Sequence, residues 1–316
     1  MKVVAKIPTL APHFGVGIMG TNNPETQAVP IIGVDNSDLA SPSTTTFSEP
    51  LLSGSFAATQ PPALLKAIAE AAGVAAKDIV NWELELFDTQ PAQLIGINKD
   101  ILSGGRIDDK LCSWAAIEAL LCAPQAGKHV DLVALFDDEE IGSLLRQGAR
   151  GNFLPSTIER ISEAFAGDNG ARDALQRTYA NSWLVSSDVS HAVNPNFQEK
   201  YLQHHSPRLN VGVVVSADSN GHMTTDAVST AMMQRVAELS GSELQVFQIR
   251  NDSRSGGTVG PMLSSAMGCR AIDVGIPQLS MHSVRASTGA LDPGLGVKLF
   301  QGVFKHFEKM TGEFDF

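Results

Sequence analysis

Leu132-Val133-Ala134-Leu135-Phe136-Asp137-Asp138-Glu139-Glu140-Ile141-Gly142-Ser143 is the stretch on which the fold turns. Its apolar run reads as a buried strand, and four consecutive acids stand where that strand would end. In open α/β sheets ligands gather beyond the carboxyl ends of strands. The same grammar recurs outward along the chain. Trp183-Leu184-Val185-Ser186-Ser187 delivers Asp188 and then His191, and Gln278-Leu279-Ser280-Met281 delivers His282. Ser103-Gly104-Gly105-Arg106-Ile107 leads into Asp108-Asp109 at a helix start. Strand-like runs at 130–136, 183–186, 211–215, 246–250 and 271–274 alternate with helical runs at 111–121, 156–165, 227–239 and 297–307. That alternation predicts an α/β fold, a mixed, largely parallel sheet covered by helices on both faces.

The first third of the chain reads differently. Residues 1 to about 60 are rich in Pro, Thr, Ser and Gly and predict irregular β structure with long loops, with Asp38–Glu49 expected to be a mobile loop. From Pro61 the apolar spacing predicts a helix with proline in its first turn and Gly73 past its end. Val80, Trp82, Leu84 and Leu86 alternate as a half-buried strand does.

Composition narrows the function. Hydrophobic residues make up 43% of the 316, charged residues 18%, and no apolar run approaches the roughly 20 residues of a membrane-spanning helix. Lys plus Arg number 23 against 34 Asp plus Glu, a formal charge of −11 that repels polyanions, so no nucleic-acid partner and no membrane is expected. Cys112, Cys122 and Cys269 are odd in number and widely spaced, which suits free thiols in a reducing compartment. Met1–Lys6 is followed at once by Pro8 and has no apolar core of secretory length, so the chain reads as intracellular.

Each strand-end residue has a plain structural reading. Asp109 suits a helix N-cap, Glu139 and Glu140 a solvated turn, and His191 a hydrogen-bonded core histidine. Taken together, several carboxylates and histidines converging from different strand ends are how a protein builds a site for paired divalent metals.

The motifs also carry a resemblance. Arg106-Ile107-Asp108-Asp109, Phe136 to Ser143, Ser187-Asp188-Val189-Ser190-His191-Ala192-Val193-Asn194-Pro195-Asn196, Arg250-Asn251-Asp252 with Gly257-Thr258-Val259-Gly260-Pro261, and Gln278 to Arg285 resemble, in order, the motifs of the aspartyl aminopeptidase and vacuolar aminopeptidase I family. Ile7-Pro8-Thr9-Leu10-Ala11-Pro12-His13 resembles a segment of that family's oligomerisation domain. The resemblance implies a zinc-aminopeptidase-like fold, with part of a smaller β-rich oligomerisation domain at 1–75 and a catalytic domain at 76–316. It implies removal of N-terminal residues from peptides with two divalent metal ions, usually zinc, in a homo-oligomer of the tetrahedral dodecamer type, cytoplasmic or vacuolar. Carried over by position, Asp108 would bridge the metals, Glu140 and Asp188 would serve one each, and His282 would be the last ligand. Glu139 would be the general base. His13 would enter a neighbouring subunit's site, and His191, Gly257 and Thr258 would contact substrate.

Three departures from the family pattern qualify this. The family's first metal ligand, a histidine in a His-Thr-Asp-Ser-Pro-like motif, is absent from the sequence, as is the part of the catalytic domain that precedes the oligomerisation segment. One metal then keeps Asp108, Glu140 and His282, the other only Asp108 and Asp188. This motivates a second expectation, an impaired, truncated member serving as an inert or regulatory assembly subunit, with apolar surface and unpaired strand groups left exposed. Acidic-selective relatives carry a lysine where Ser216 follows Val211–Val215, so a neutral N-terminal residue is expected as substrate. Lastly, Ala286-Ser287-Thr288-Gly289 follows Arg285 directly, a loop shorter than the family's.

Overall fold

Pro61-Pro62 and Gly73 bracket a helix as the sequence predicts. In the computed structural model, which describes residues 3–15, 23–34, 45, 47–124, 127–167 and 172–314, the chain forms two compact units, 1–89 and 90–316. The first unit contains α1 (Pro24–Gln27) and α2 (Pro62–Ala72). Proline in the first turn of α2 gives up an amide that would have no intrahelical partner, and Gly73 ends the helix at φ 68°. Leu65 and Ala69, one turn apart, are its buried face. Among this unit's described residues, β pairing is limited to the bridge between Lys6 and Ile31. The alternating run from Val80 to Leu86 forms no ladder, although the Trp82 ring packs edge-on against Phe56 at 5.0 Å. The predicted loop Asp38–Glu49 lies mostly outside the described residues.

The second unit is built on a seven-stranded sheet: β1 (Gln93–Ile95), β2 (Ile101–Gly104), β3 (Trp183–His191), β4 (Val213–Ala217), β5 (Leu244–Gln248), β6 (Arg270–Leu279) and β7 (Ala286–Gly289). Its order is β1-β2-β7-β6-β4-β5, with β3 on β6. Its helices are α3 (Ile107–Leu121), α4 (Phe153–Ala166), α5 (Ala174–Ala180), α6 (Ala227–Ser240), α7 (Val259–Met267) and α8 (Asp292–Phe314). The sheet is mixed, as expected, but among the described residues parallel pairing is confined to β3–β6 and β4–β5, and the other four pairings are antiparallel. For β1–β2 and β6–β7 the physical reason is loop length. The connections at 96–100 and 280–285 are too short for a crossover helix, so they can only join antiparallel neighbours.

Side-chain alternation sends the two faces of the sheet to different cores. Val185 and Val189 of β3 and Ile272, Val274 and Ile276 of β6 pack with apolar residues of α3, α6 and α8. Leu184 joins Leu154 of α4 and Leu263 and Met267 of α7 on the opposite face. Helices therefore cover both faces. At Gly296 a Cβ would stand 2.6 Å from Ile276 Cδ1, so the absence of a side chain lets α8 lie close on β6.

A second predicted strand is corrected, like the run 80–86. Residues 130–136, with Val130, Leu132 and Leu135 exposed, form no regular element and join no ladder among the described residues. Apolar content sets which face a strand would bury, whereas ladder formation needs a neighbour at the right spacing.

Candidate metal centre

The parallel register of β3 and β6, from Trp183 beside Arg270 to His191 beside Gln278, brings the carboxyl ends of both strands to one place. The turn from β6 to β7 carries His282 at φ 62°. The entry to α3 carries Asp108 and Asp109, both with non-helical backbone after Arg106 at φ 58°. Asp109 Oδ1 accepts the Cys112 amide at 3.2 Å, so this acid does cap the helix. Glu139–Ile141 is a single 3₁₀ turn between Asp138 at φ 62° and Gly142 at φ 100°, closed by the Gly142 amide on the Glu139 carbonyl at 2.8 Å. Of seven non-glycine residues with positive φ among those described, Arg106, Asp138, Ser280 and His282 border or carry the strand-end acids and the histidine. Such backbone conformations are unfavourable by roughly 1 kcal/mol or more each and gather at functional sites.

These turns bring three side chains together. Asp108, Glu140 and His282 each offer one ligand atom within 4.8 Å of the other two. His282 Nε2 lies 3.4 Å from Asp108 Oδ2 and 3.3 Å from Glu140 Oε2. Glu139 and Asp188 stand outside that group but within its field. Burial pushes Asp188 well above the usual carboxylate range, with Asp109, Asp108 and Glu139 adding to the effect. Desolvation raises Glu139 and Glu140, neighbouring acids reinforce it, and His282 opposes it. Burial raises Asp109 to about 8, helped by Asp108 and Glu139 and opposed by the Cys112 contact. Partial desolvation, together with His282, lowers His191, whose ring packs 5.4 Å from Phe247.

The residues fit a divalent cation. Carboxylates crowded and partly desolvated hold excess negative charge that a cation would relieve, and two oxygens with one imidazole nitrogen form a donor set that zinc takes at catalytic sites.

The remaining candidates have partners of their own. Thr258 is the N-cap of α7, its hydroxyl 2.5 Å from Asp273 Oδ1 and 3.2 Å from the Ser186 hydroxyl, and Gly257 precedes it. His13 belongs to the first unit, in the one-turn helix Pro12–Phe14, its ring 4.6 Å from Phe14. Ser216 is buried and pairs with the Ser190 hydroxyl at 3.2 Å. The sequence reading passed over Asp273, although a lone acid inside the apolar run Ala271–Ile276 was a visible signal.

Comparison with known proteins follows the same line. The sequence profile of a family described as aminopeptidase I zinc metalloprotease (M18) matches residues 1–304. Vacuolar aminopeptidase 1 of Saccharomyces cerevisiae is 46% identical over 98% of this chain and 60% of its own length, so the chain spans about three fifths of that relative. The solved structure of Chaetomium thermophilum mApe1 superposes with a TM-score of 0.84 at 55% identity, covering 98% of this chain and 66% of the other. That of the S. cerevisiae mApe1 dodecamer gives 0.72 at 47% identity, over 80% of this chain and 56% of the other.

Proposed function

Because the chain belongs to the aminopeptidase I zinc metalloprotease (M18) family, we propose that it removes N-terminal residues from peptides at the cluster of Asp108, Glu140 and His282. The observation that carries this reading is the convergence of those three donors, within 4.8 Å of one another, from three turns far apart in sequence. Asp108, Glu140 and His282 would hold one divalent ion, and Asp108 with Asp188 would contribute to a second. Zinc, when bound, supplies Lewis-acid activation of water and polarises the scissile carbonyl. Glu139 takes the proton of the attacking water on its carboxylate and returns it to the nitrogen of the departing amine. His191, Gly257 and Thr258 border the bound peptide, and His13 serves the site of a neighbouring subunit. Ser216, hydroxyl-bonded to Ser190, supplies no positive charge, which favours a neutral N-terminal residue. The protein acts as a homo-oligomer in the cytoplasm or vacuole, a reading supported by the dodecamer of the yeast relative.

A second reading, an assembly subunit without turnover, is favoured by one observation: among the described residues a single group of three donors is in reach of one ion. Zinc or cobalt loading followed by elemental analysis, alongside release of N-terminal leucine and aspartate from peptides, separates the two. Two metals per chain with leucine released faster than aspartate is the expected result. One weakly held metal without turnover supports the second reading instead.

A further inference from the structure

Apart from Thr258, the residues of a polar network on the α7 side of the sheet have no part in the chemistry proposed for the metal centre. Asp273 sits within the apolar run Ala271–Ile276 of β6 and is 1% exposed. A carboxylate so buried is stable only when its oxygens are hydrogen-bonded. Two separate segments supply the donors. Thr224, between β4 and α6, gives Oδ2 its amide at 2.5 Å and its hydroxyl at 2.7 Å. Thr258, capping α7, gives Oδ1 its hydroxyl at 2.5 Å. The first turn of α7 presses against the same carboxylate. A Cβ at Gly260 would stand 2.5 Å from Oδ1, so only glycine permits that approach. The end of a helix facing it is the positive one, which suits an anion.

The network continues toward the metal centre. The Thr258 hydroxyl proton is committed to Asp273, so in the 3.2 Å contact with Ser186 it is the serine that donates. Ser186 lies directly beside Asp273 in the β3–β6 register and two residues before Asp188, on the same face of β3.

We propose that Asp273 is a positioning residue of the candidate metal centre: it fastens Thr224 and the start of α7 to β6, and through Thr258 and Ser186 it fixes the part of β3 that presents Asp188. The inference rests on the reading of Asp188 as a metal ligand. Its test uses the full chain with Asp273→Asn, Thr258→Val and Thr258→Ser, reading zinc Kd by chelator competition and amide hydrogen exchange at Gly260 and Val189. Gly260 donates to the Thr258 hydroxyl, and Val189 donates to Asp188 Oδ1 at 2.7 Å, so both report on the relay. Asp273→Asn and Thr258→Val should raise the Kd of the weaker zinc step about 10–100-fold, as loss of a supporting partner does, and speed exchange at both amides. Thr258→Ser keeps the hydroxyl and should restore wild-type values. Unchanged zinc Kd in the folded Thr258→Val protein overturns the proposal, even if its melting temperature falls. Should Asp273→Asn fail to fold, the valine and serine pair at 258 carries the same decision. Should the wild type take up no zinc, the metal reading of Asp188 falls by itself, and unchanged exchange at Gly260 and Val189 would then overturn the relay as well.

Discussion

Glu139 and Glu140 are adjacent in sequence, yet one 3₁₀ turn places only Glu140 in the group with Asp108 and His282. Glu139→Gln keeps the shape and removes the proton acceptor. It should lower turnover about 10²- to 10⁴-fold while zinc content stays at the wild-type value, as steady-state kinetics and elemental analysis on one preparation would read. His282→Ala has the opposite signature. It deletes one of three donors and should weaken zinc binding by at least the roughly 10-fold seen for lost supporting contacts, whatever happens to turnover. Zinc affinity unchanged in that variant would remove His282 from the ligand set. At this scale the sequence was informative because the acids and histidines cluster within a few residues after strand-like runs or at a helix start. The role of Asp273 is not legible in the sequence because its partners, Thr224 and Thr258, are distant along the chain.

The elements show where local rules suffice. α2 and α6 begin and end on the residues that helix chemistry demands. Asp226 accepts the Ser229 amide at 2.7 Å and the Ser229 hydroxyl accepts the Asp226 amide at 3.0 Å, a reciprocal cap on α6. Desolvation acts to raise the Asp226 carboxyl, but the Ser229 amide and hydroxyl and Arg270 outweigh it and hold the group below its usual range. A lowered native pKa contributes stability that is present above the unfolded value near 4 and is lost as pH falls through the native value. Asp226→Ala should therefore cost about 1 kcal/mol at neutral pH, and its deficit against wild type in urea melts should shrink below about pH 4. A deficit that persists unchanged in acid would show that the carboxylate is not its source. Local rules fail at the runs 80–86 and 130–136. Both have the composition of strands, yet neither joins a ladder among the described residues.

At the scale of the molecule, exposed apolar side chains are numerous in both units, among them Val3, Val4, Ile7, Val29 and Ile31 in the first and Val130, Leu132 and Leu135 in the second. Where such side chains form a contiguous patch, another polypeptide normally covers it. Light scattering at micromolar concentration should find homo-oligomers, and a strictly monomeric chain would contradict the assembly reading. Metal binding acts on the same scale. A ligand held only by the native state stabilises it by about 2.7 kcal/mol at 100 times its Kd. Chelation should accordingly lower the melting temperature by several degrees, with recovery on adding zinc. A melt indifferent to chelator would mean that the centre holds no ion tightly.

The sequence by itself determined the class of fold, most of the helices and the list of acids and histidines at strand ends, because apolar periodicity and capping residues act over a few positions. It also carried the family motifs. Only the tertiary structure decided that parallel pairing stops at β3–β6 and β4–β5, that the run 130–136 stays outside the sheet, and that Asp108, Glu140 and His282 meet while Thr258 turns instead to Asp273 and Ser186. Those outcomes depend on which distant segments lie side by side. That is set by packing across the whole sheet, and local spacing does not encode it.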